Sequence, residues 1–126
     1  MDEPQKTVTL FLVPPADALG LLDFIKAAFG ARQMGLYQSP AGKLEYAAVR
    51  IGDAVLEFGE APGFPRSAIY LYVPNADSIY QQALEAGAQP LYAPVDQPYG
   101  DRQGGVEDRW GNTWYIATHL GSGTES

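Results

Sequence analysis

The sequence predicts an α+β fold made of two tandem βαβββ modules in a single domain, and three observations predict it. The stretch Val13-Pro14-Pro15-Ala16-Asp17 recurs as Val73-Pro74-Asn75-Ala76-Asp77. Each copy follows a short apolar run, Val8 to Val13 or Ala68 to Val73. Each precedes a helix-like stretch that closes on Phe29-Gly30-Ala31 or Ala86-Gly87-Ala88. Each half then carries a Gly turn before a further apolar run: Gly52-Asp53 before Ala54 to Phe58, and Gly111-Asn112 before Thr113 to Thr118. One internal repeat at this spacing implies two copies of one supersecondary unit, with a site built between them.

The elements follow in order. Thr7 to Val13 reads as a strand, stopped at Pro14-Pro15 because proline lacks the N–H that a ladder needs. Asp17 suits the cap of a helix whose Ala18, Leu21, Leu22, Ile25 and Phe29 share one face, and Gly30 suits its end. Met34 to Gln38 reads as a short strand and Ser39 to Gly42 as a turn. Leu44 to Ile51 and Ala54 to Phe58 form a hairpin across Gly52-Asp53. A linker at about 61–67 separates module 1 (about 7–60) from module 2 (about 68–120).

In module 2, Ala68 to Val73 is a strand and Asp77 is the expected cap of a shorter helix with Ile79, Ala83 and Leu84 inward. Leu91 to Ala93 reads as a weak strand, Gln97 to Gly104 as a polar loop, and Gly105 to Asp108 with Thr113 to Thr118 as the last hairpin. The tail 121–126 reads as disordered.

Composition narrows the function classes. A length of 126 residues suits one domain. A net charge of −7 without a basic run argues against nucleic acid or an anionic membrane as partner. The absence of cysteine excludes disulfides, thiolate metal sites and Cys nucleophiles. No apolar stretch approaches the roughly 20 residues of a membrane span, and Met1-Asp2-Glu3-Pro4 does not read as a secretory leader. A cytoplasmic location is the expectation.

Strand parity sorts the side chains into two faces. Ala47, Val49, Ile51, Ala54, Leu56 and Phe58 form an apolar face suited to carry the helix. Tyr46, Ala48, Arg50, Val55 and Glu57 lie opposite, with Arg50 diagonal to Glu57. In module 2, Ile69, Leu71, Val73, Trp114 and Ile116 face the helix, and Ala68, Tyr70, Tyr72, Thr113, Tyr115 and Ala117 face away. The non-helical faces thus collect Tyr46, Tyr70, Tyr72 and Tyr115 with Arg50 and Glu57. An aromatic surface with a few polar groups is the usual small-molecule site; the same tyrosines can instead simply fill the sheet surface. Gly104-Gly105 is not a phosphate loop, because no Lys or Ser/Thr follows at suitable spacing. His119, the only histidine, reads as a surface residue.

The segment from Tyr99 to His119, including Glu107-Asp108-Arg109-Trp110-Gly111-Asn112, resembles a bacterial branch of the glyoxalase/bleomycin-resistance/dioxygenase (vicinal oxygen chelate) superfamily. Phe24 to Gly30 and Arg50 to Asp53 support the match, which covers about 7–120. The resemblance implies that the strands curl into a curved mixed-sheet cup with helices on its outer face, and that two chains pair as a homodimer. It places the loop bearing Asp101 and Arg102 near that cup, where the two can gate a ligand, with Arg102 a candidate ligand contact, or else pair locally and fix the loop. It also implies four metal-ligand positions, which map here to Val8 or Leu10, Glu57, Ala68 and Tyr115. One carboxylate among them does not make a divalent-metal site, so no metal and no cofactor are expected.

Three readings of function follow. The first is a metal-independent binding protein for a small aromatic or cationic compound, resembling bleomycin-resistance-type members, with Tyr46, Arg50, Glu57, Tyr70, Tyr72, Arg102 and Tyr115 as ligand contacts. Acidity and tyrosines suit a cationic guest. The second is a lyase or dioxygenase-like enzyme of the superfamily with Glu57 as acid or base on an unknown substrate. The third is an assembly role with the cup filled by side chains.

Overall fold

The structure is a computed structural model that describes residues 9–61, 63 and 66–121. Module 1 contains β1 (Leu10–Leu12), α1 (Ala18–Phe29), β2 (Arg32–Gln38), β3 (Leu44–Ile51) and β4 (Ala54–Phe58). Module 2 contains β5 (Ala68–Tyr72), α2 (Ala76–Glu85), β6 (Gln89–Asp96), β7 (Asp101–Glu107) and β8 (Thr113–His119). Each module forms its own four-stranded sheet, in the orders β1-β4-β3-β2 and β5-β8-β7-β6. In each, the first strand lies parallel to the last and the other pairs are antiparallel. The tandem βαβββ design is therefore present as two separate sheets, and the strands do not join into one continuous sheet. Residues 7 and 8 of the expected first strand and the tail 122–126 lie outside the described residues.

Local chemistry sets the helix ends. Asp17 caps α1 by accepting from the Gly20 N–H at 3.2 Å. It does so at φ 57°, a left-handed conformation that Asp tolerates better than most residues. The end of α1 is closed by Gly30 at φ 68°, whose N–H reaches the Lys26 carbonyl at 3.0 Å. The cap of α2 is Asn75 rather than Asp77: extended backbone at Asn75 lets its Oδ1 accept from the Ser78 N–H at 3.1 Å. Asp77 lies in the first turn, where the helix dipole favours its charge.

The first hairpin has the expected two-residue turn, with Ile51 facing Ala54 and Ala48 facing Glu57. Strand β7 is the main departure: residues 101–104, expected in a loop, are paired from Asp101 against His119 onward. Its few apolar residues hid it, yet its polar groups find partners across the sheet. Gly104 and Gly105 are explained by close approach of the edge strand β6. A Cβ on Gly104 would lie 2.7 Å from the Pro94 nitrogen, and one on Gly105 3.0 Å from the Tyr92 ring. Strand β6 is correspondingly longer than the weak strand expected. Its register shifts accommodate Pro90 and Pro94 at the sheet edge.

The helices cover one face of each sheet and pack on each other. One core runs through both modules, from Leu21, Ile25, Val49 and Phe58 to Val106, Trp114 and Ile116. A chain of aromatic rings crosses the join. Phe24 meets Phe29 edge-on at 5.7 Å and Trp110 at 6.1 Å, and Phe29 meets Trp114 at 4.6 Å. Helix α1 of module 1 is thereby anchored on β8 of module 2. Contacts of this kind are worth about 0.5–1.5 kcal/mol each beyond area burial. At the rim of the core, Arg109 pairs with Asp17 and stacks over Trp110 at 4.6 Å, while the Trp110 indole N–H donates to the Asp17 carbonyl at 3.0 Å.

Candidate ligand site

Because α1 and α2 take the apolar faces, the tyrosine-bearing faces are left open. On β5 and β8, Tyr70 faces Tyr115 in register, and the two rings lie 5.9 Å apart. Tyr72, two residues along the same face, brings its ring within 5.3 Å of Tyr70. Beneath these rings sits Asp101, only 4% exposed. Its Oδ2 accepts from Tyr70 at 2.7 Å and Tyr72 at 2.9 Å, and its Oδ1 lies 3.2 Å from His119 Nδ1. Tyr70, helped by Tyr72 and His119 and opposed by burial, holds the Asp101 carboxyl below the usual carboxylate range. Burial, with the hydrogen bond to Asp101, pushes the Tyr70 phenol above its ordinary value. The site thus presents one ionised carboxylate beside the protonated phenol of Tyr70.

A neutral polar wall continues from this cluster. Gln103, on the same face as Asp101, donates to Tyr92 Oη at 2.7 Å. Its Oε1 accepts from Gln97 at 3.3 Å and Tyr99 at 3.4 Å. Gly105, directly across from Tyr115, keeps the floor low beneath the Tyr92 ring.

The other candidates lie on the first sheet. Tyr46 donates to Glu57 Oε2 at 3.0 Å on the open face of β3 and β4. Burial and the Glu57 carboxylate raise the Tyr46 phenol. Arg50 shares that face, across from Val55 and next to Arg32 on β2. Arg102 does not join either group. The strand that carries Asp101 to the open face turns Arg102 to the helix side, where it donates to Asp77 at 2.7 and 3.0 Å and to Asp96 at 3.1 Å.

Sequence reasoning weighs Asp101 only as a loop residue that gates the cup or pairs locally, and His119 as a surface residue; it places neither with the tyrosines. Reading residues 97–104 as a loop gave Asp101 no parity, and the terminal place of His119 hid its pairing across the ladder. The available signal was that β7, extended by four residues, sets an acid opposite the lone histidine.

The metal-ligand positions implied by the resemblance need one correction. Parallel pairing sets Phe11 beside Glu57 and turns Leu10 with Leu56 to the helix side, so the open-face position on β1 is Phe11. Val8 lies outside the described residues. Those four positions then hold Phe11, Glu57, Tyr70 or Ala68, and Tyr115: one carboxylate and no imidazole. This donor set does not fit a divalent ion. Among the described residues no group of three or more acidic or histidine side chains gathers as a metal site. A cleft of about 350 Å³ lies instead on the helix side, lined by Gly20, Phe24, Ala27, Gly87, Arg109 and Trp110, and it is separate from the tyrosine face. No helix among the described residues is long and apolar enough to cross a membrane.

This fold is that of the glyoxalase/bleomycin-resistance/dioxygenase superfamily. TioX from Micromonospora sp. ML1 superposes with a TM-score of 0.73 at 24% identity, over 90% of this chain and 96% of that one. The fosfomycin resistance protein FosX from Mesorhizobium loti superposes with a TM-score of 0.70 at 16% identity, over 98% and 97%. A glyoxalase/bleomycin resistance protein/dioxygenase family enzyme from Burkholderia phytofirmans PsJN gives 0.71 at 19% identity, over 90% and 96%. No protein-family model matches the chain. In sequence it is 37% identical over 114 residues to the Mycobacterium bovis protein Mb0911c, covering 79% of this chain and 75% of that protein. The same identity holds to Rv0887c of Mycobacterium tuberculosis, over 79% and 67%. The chain belongs to one family with these mycobacterial proteins.

Proposed function

We propose that the protein binds a small, partly aromatic or cationic organic compound on its open tyrosine faces without a metal ion, and that it does so as a homodimer. The observation that carries this reading is the cluster of Tyr70, Tyr72 and Tyr115 over a buried carboxylate. Rings clustered at these distances offer flat faces for stacking, and their quadrupoles favour cations. The net charge of −7 adds long-range attraction for a cation and repulsion for an anion. The fold neighbour named for fosfomycin resistance supports the view that this architecture serves proteins that handle small antibiotics.

The test is a thermal-shift screen of chelator-dialysed protein against amines, aromatic cations, neutral aromatics, carboxylates and phosphates. Aromatic cations are expected to raise the melting temperature with no metal added, and the double substitution Tyr70→Ala, Tyr115→Ala is expected to remove the effect. Stabilisation by carboxylates or phosphates alone, or only after a divalent metal is restored, would contradict the proposal.

A further inference from the structure

We infer that Asp101, through Tyr70 and Tyr72, selects the charged end of the guest, and that this end is a protonated amine that donates N–H bonds. The inference rests on the binding reading above and names Asp101, on the second sheet, as the counter-charge of the guest.

A phenol has one hydroxyl proton, and Tyr70 commits it to Asp101 Oδ2 at 2.7 Å. Its oxygen can then turn only lone pairs toward a guest. Tyr72 donates to the same carboxylate oxygen at 2.9 Å. Both O–H dipoles therefore point inward, and the carboxylate's negative charge is relayed to the rim of the site. A guest carboxylate meets lone pairs and a like charge there. A neutral alcohol can donate but gains no charge assistance. An ammonium group both donates and carries the complementary charge, and charge-assisted hydrogen bonds are about twice as strong as neutral ones. The rings at 5.3 and 5.9 Å supply faces for the rest of a flat guest.

Apart from His119, whose ring offsets the carboxylate only when it is protonated, the groups around Asp101 leave that charge in place. Arg102, the neighbour in sequence, is held on the opposite side of the sheet by Asp77 and Asp96. Gln97, Gln103, Tyr92 and Tyr99 form a neutral wall. His119 faces Oδ1, the oxygen that the tyrosines do not use. Glu57 is engaged by Tyr46 on the other sheet.

Calorimetric titration of the full-length protein with four ligands sharing one ring tests the assignment: benzylammonium, benzyltrimethylammonium, benzyl alcohol and phenylacetate, near neutral pH. Benzylammonium is expected to bind at least about tenfold tighter than benzyl alcohol. Benzyltrimethylammonium, which has no N–H, should be weaker than benzylammonium, and phenylacetate weakest. Asp101→Asn should bring the amine-to-alcohol ratio close to one, with circular dichroism confirming the fold. Tyr70→Phe leaves the carboxylate and the packing intact, so it decides the matter if Asp101→Asn does not fold; it should also lower the ratio. Glu57→Gln should leave the ratio unchanged. A wild type that binds alcohol and amine equally overturns this inference but leaves the binding reading standing. An unchanged ratio in folded Asp101→Asn, or in Tyr70→Phe if the first variant does not fold, overturns it in the same limited way. Failure of all four ligands to bind overturns both.

Discussion

Asp108 accepts hydrogen bonds from the backbone N–H groups of Trp110 and Asn112 at 3.0 and 2.9 Å, from the Asn112 side chain at 3.1 Å and from the Trp114 indole at 2.8 Å. It is 2% exposed, so water cannot replace it. It shapes the five-residue connection between β7 and β8 and fixes Trp114, the residue on which α1 rests. Asp108→Ala strands several buried donors at once, each costing about 1–3 kcal/mol. A loss of stability on the order of 3 kcal/mol or more is therefore expected in urea unfolding; a loss under about 1 kcal/mol would show that the connection holds its shape by other means. The same scale shows what the sequence made legible. Tyr70 and Tyr115 were found by parity because their strands are plainly apolar on the other face. Asp101 was not, because a strand written Asp-Arg-Gln-Gly-Gly looks like a loop until its cross-strand partners are known.

At the scale of elements, the two-residue turn at Gly52-Asp53 leaves one register available, and a slip by one residue would send every side chain of the hairpin to the wrong face. That is why Glu57 could be placed opposite Ala48 from sequence alone. The turn after β7 has no such short signature, and the bulged edge strand β6 carries two prolines, so the second module was harder to read. Both β2 and β6 are edge strands with exposed Met34, Leu36 and Tyr37 on one and Leu91, Tyr92 and Val95 on the other. Unpaired edges of this kind invite a second chain, and covering them removes an aggregation hazard. Sedimentation velocity is expected to show a dimer at high micromolar concentration; a monomer there would remove the homodimer from the proposal.

In the whole molecule, the aromatic chain from Phe24 through Phe29 to Trp114 ties the modules together on their helix sides. The two sheets consequently keep their other faces open: Phe11, Tyr37 and Tyr46 on the first, Tyr70, Tyr72 and Tyr92 on the second. The internal repeat announced the tandem modules, and strand parity announced the open faces. Neither announced that the strands form two sheets rather than one, because contacts between modules are made by helix residues whose partners lie far along the chain. The central claim is that binding happens on the face made by β5, β7 and β8. Amide chemical-shift mapping of the labelled protein titrated with benzylammonium tests it most directly. The expected result is a set of shifts gathered on Tyr70, Tyr72, Asp101, Tyr115 and His119. Shifts gathered instead around Gly20, Phe24, Gly87 and Trp110, in the cleft on the helix side, would contradict the account.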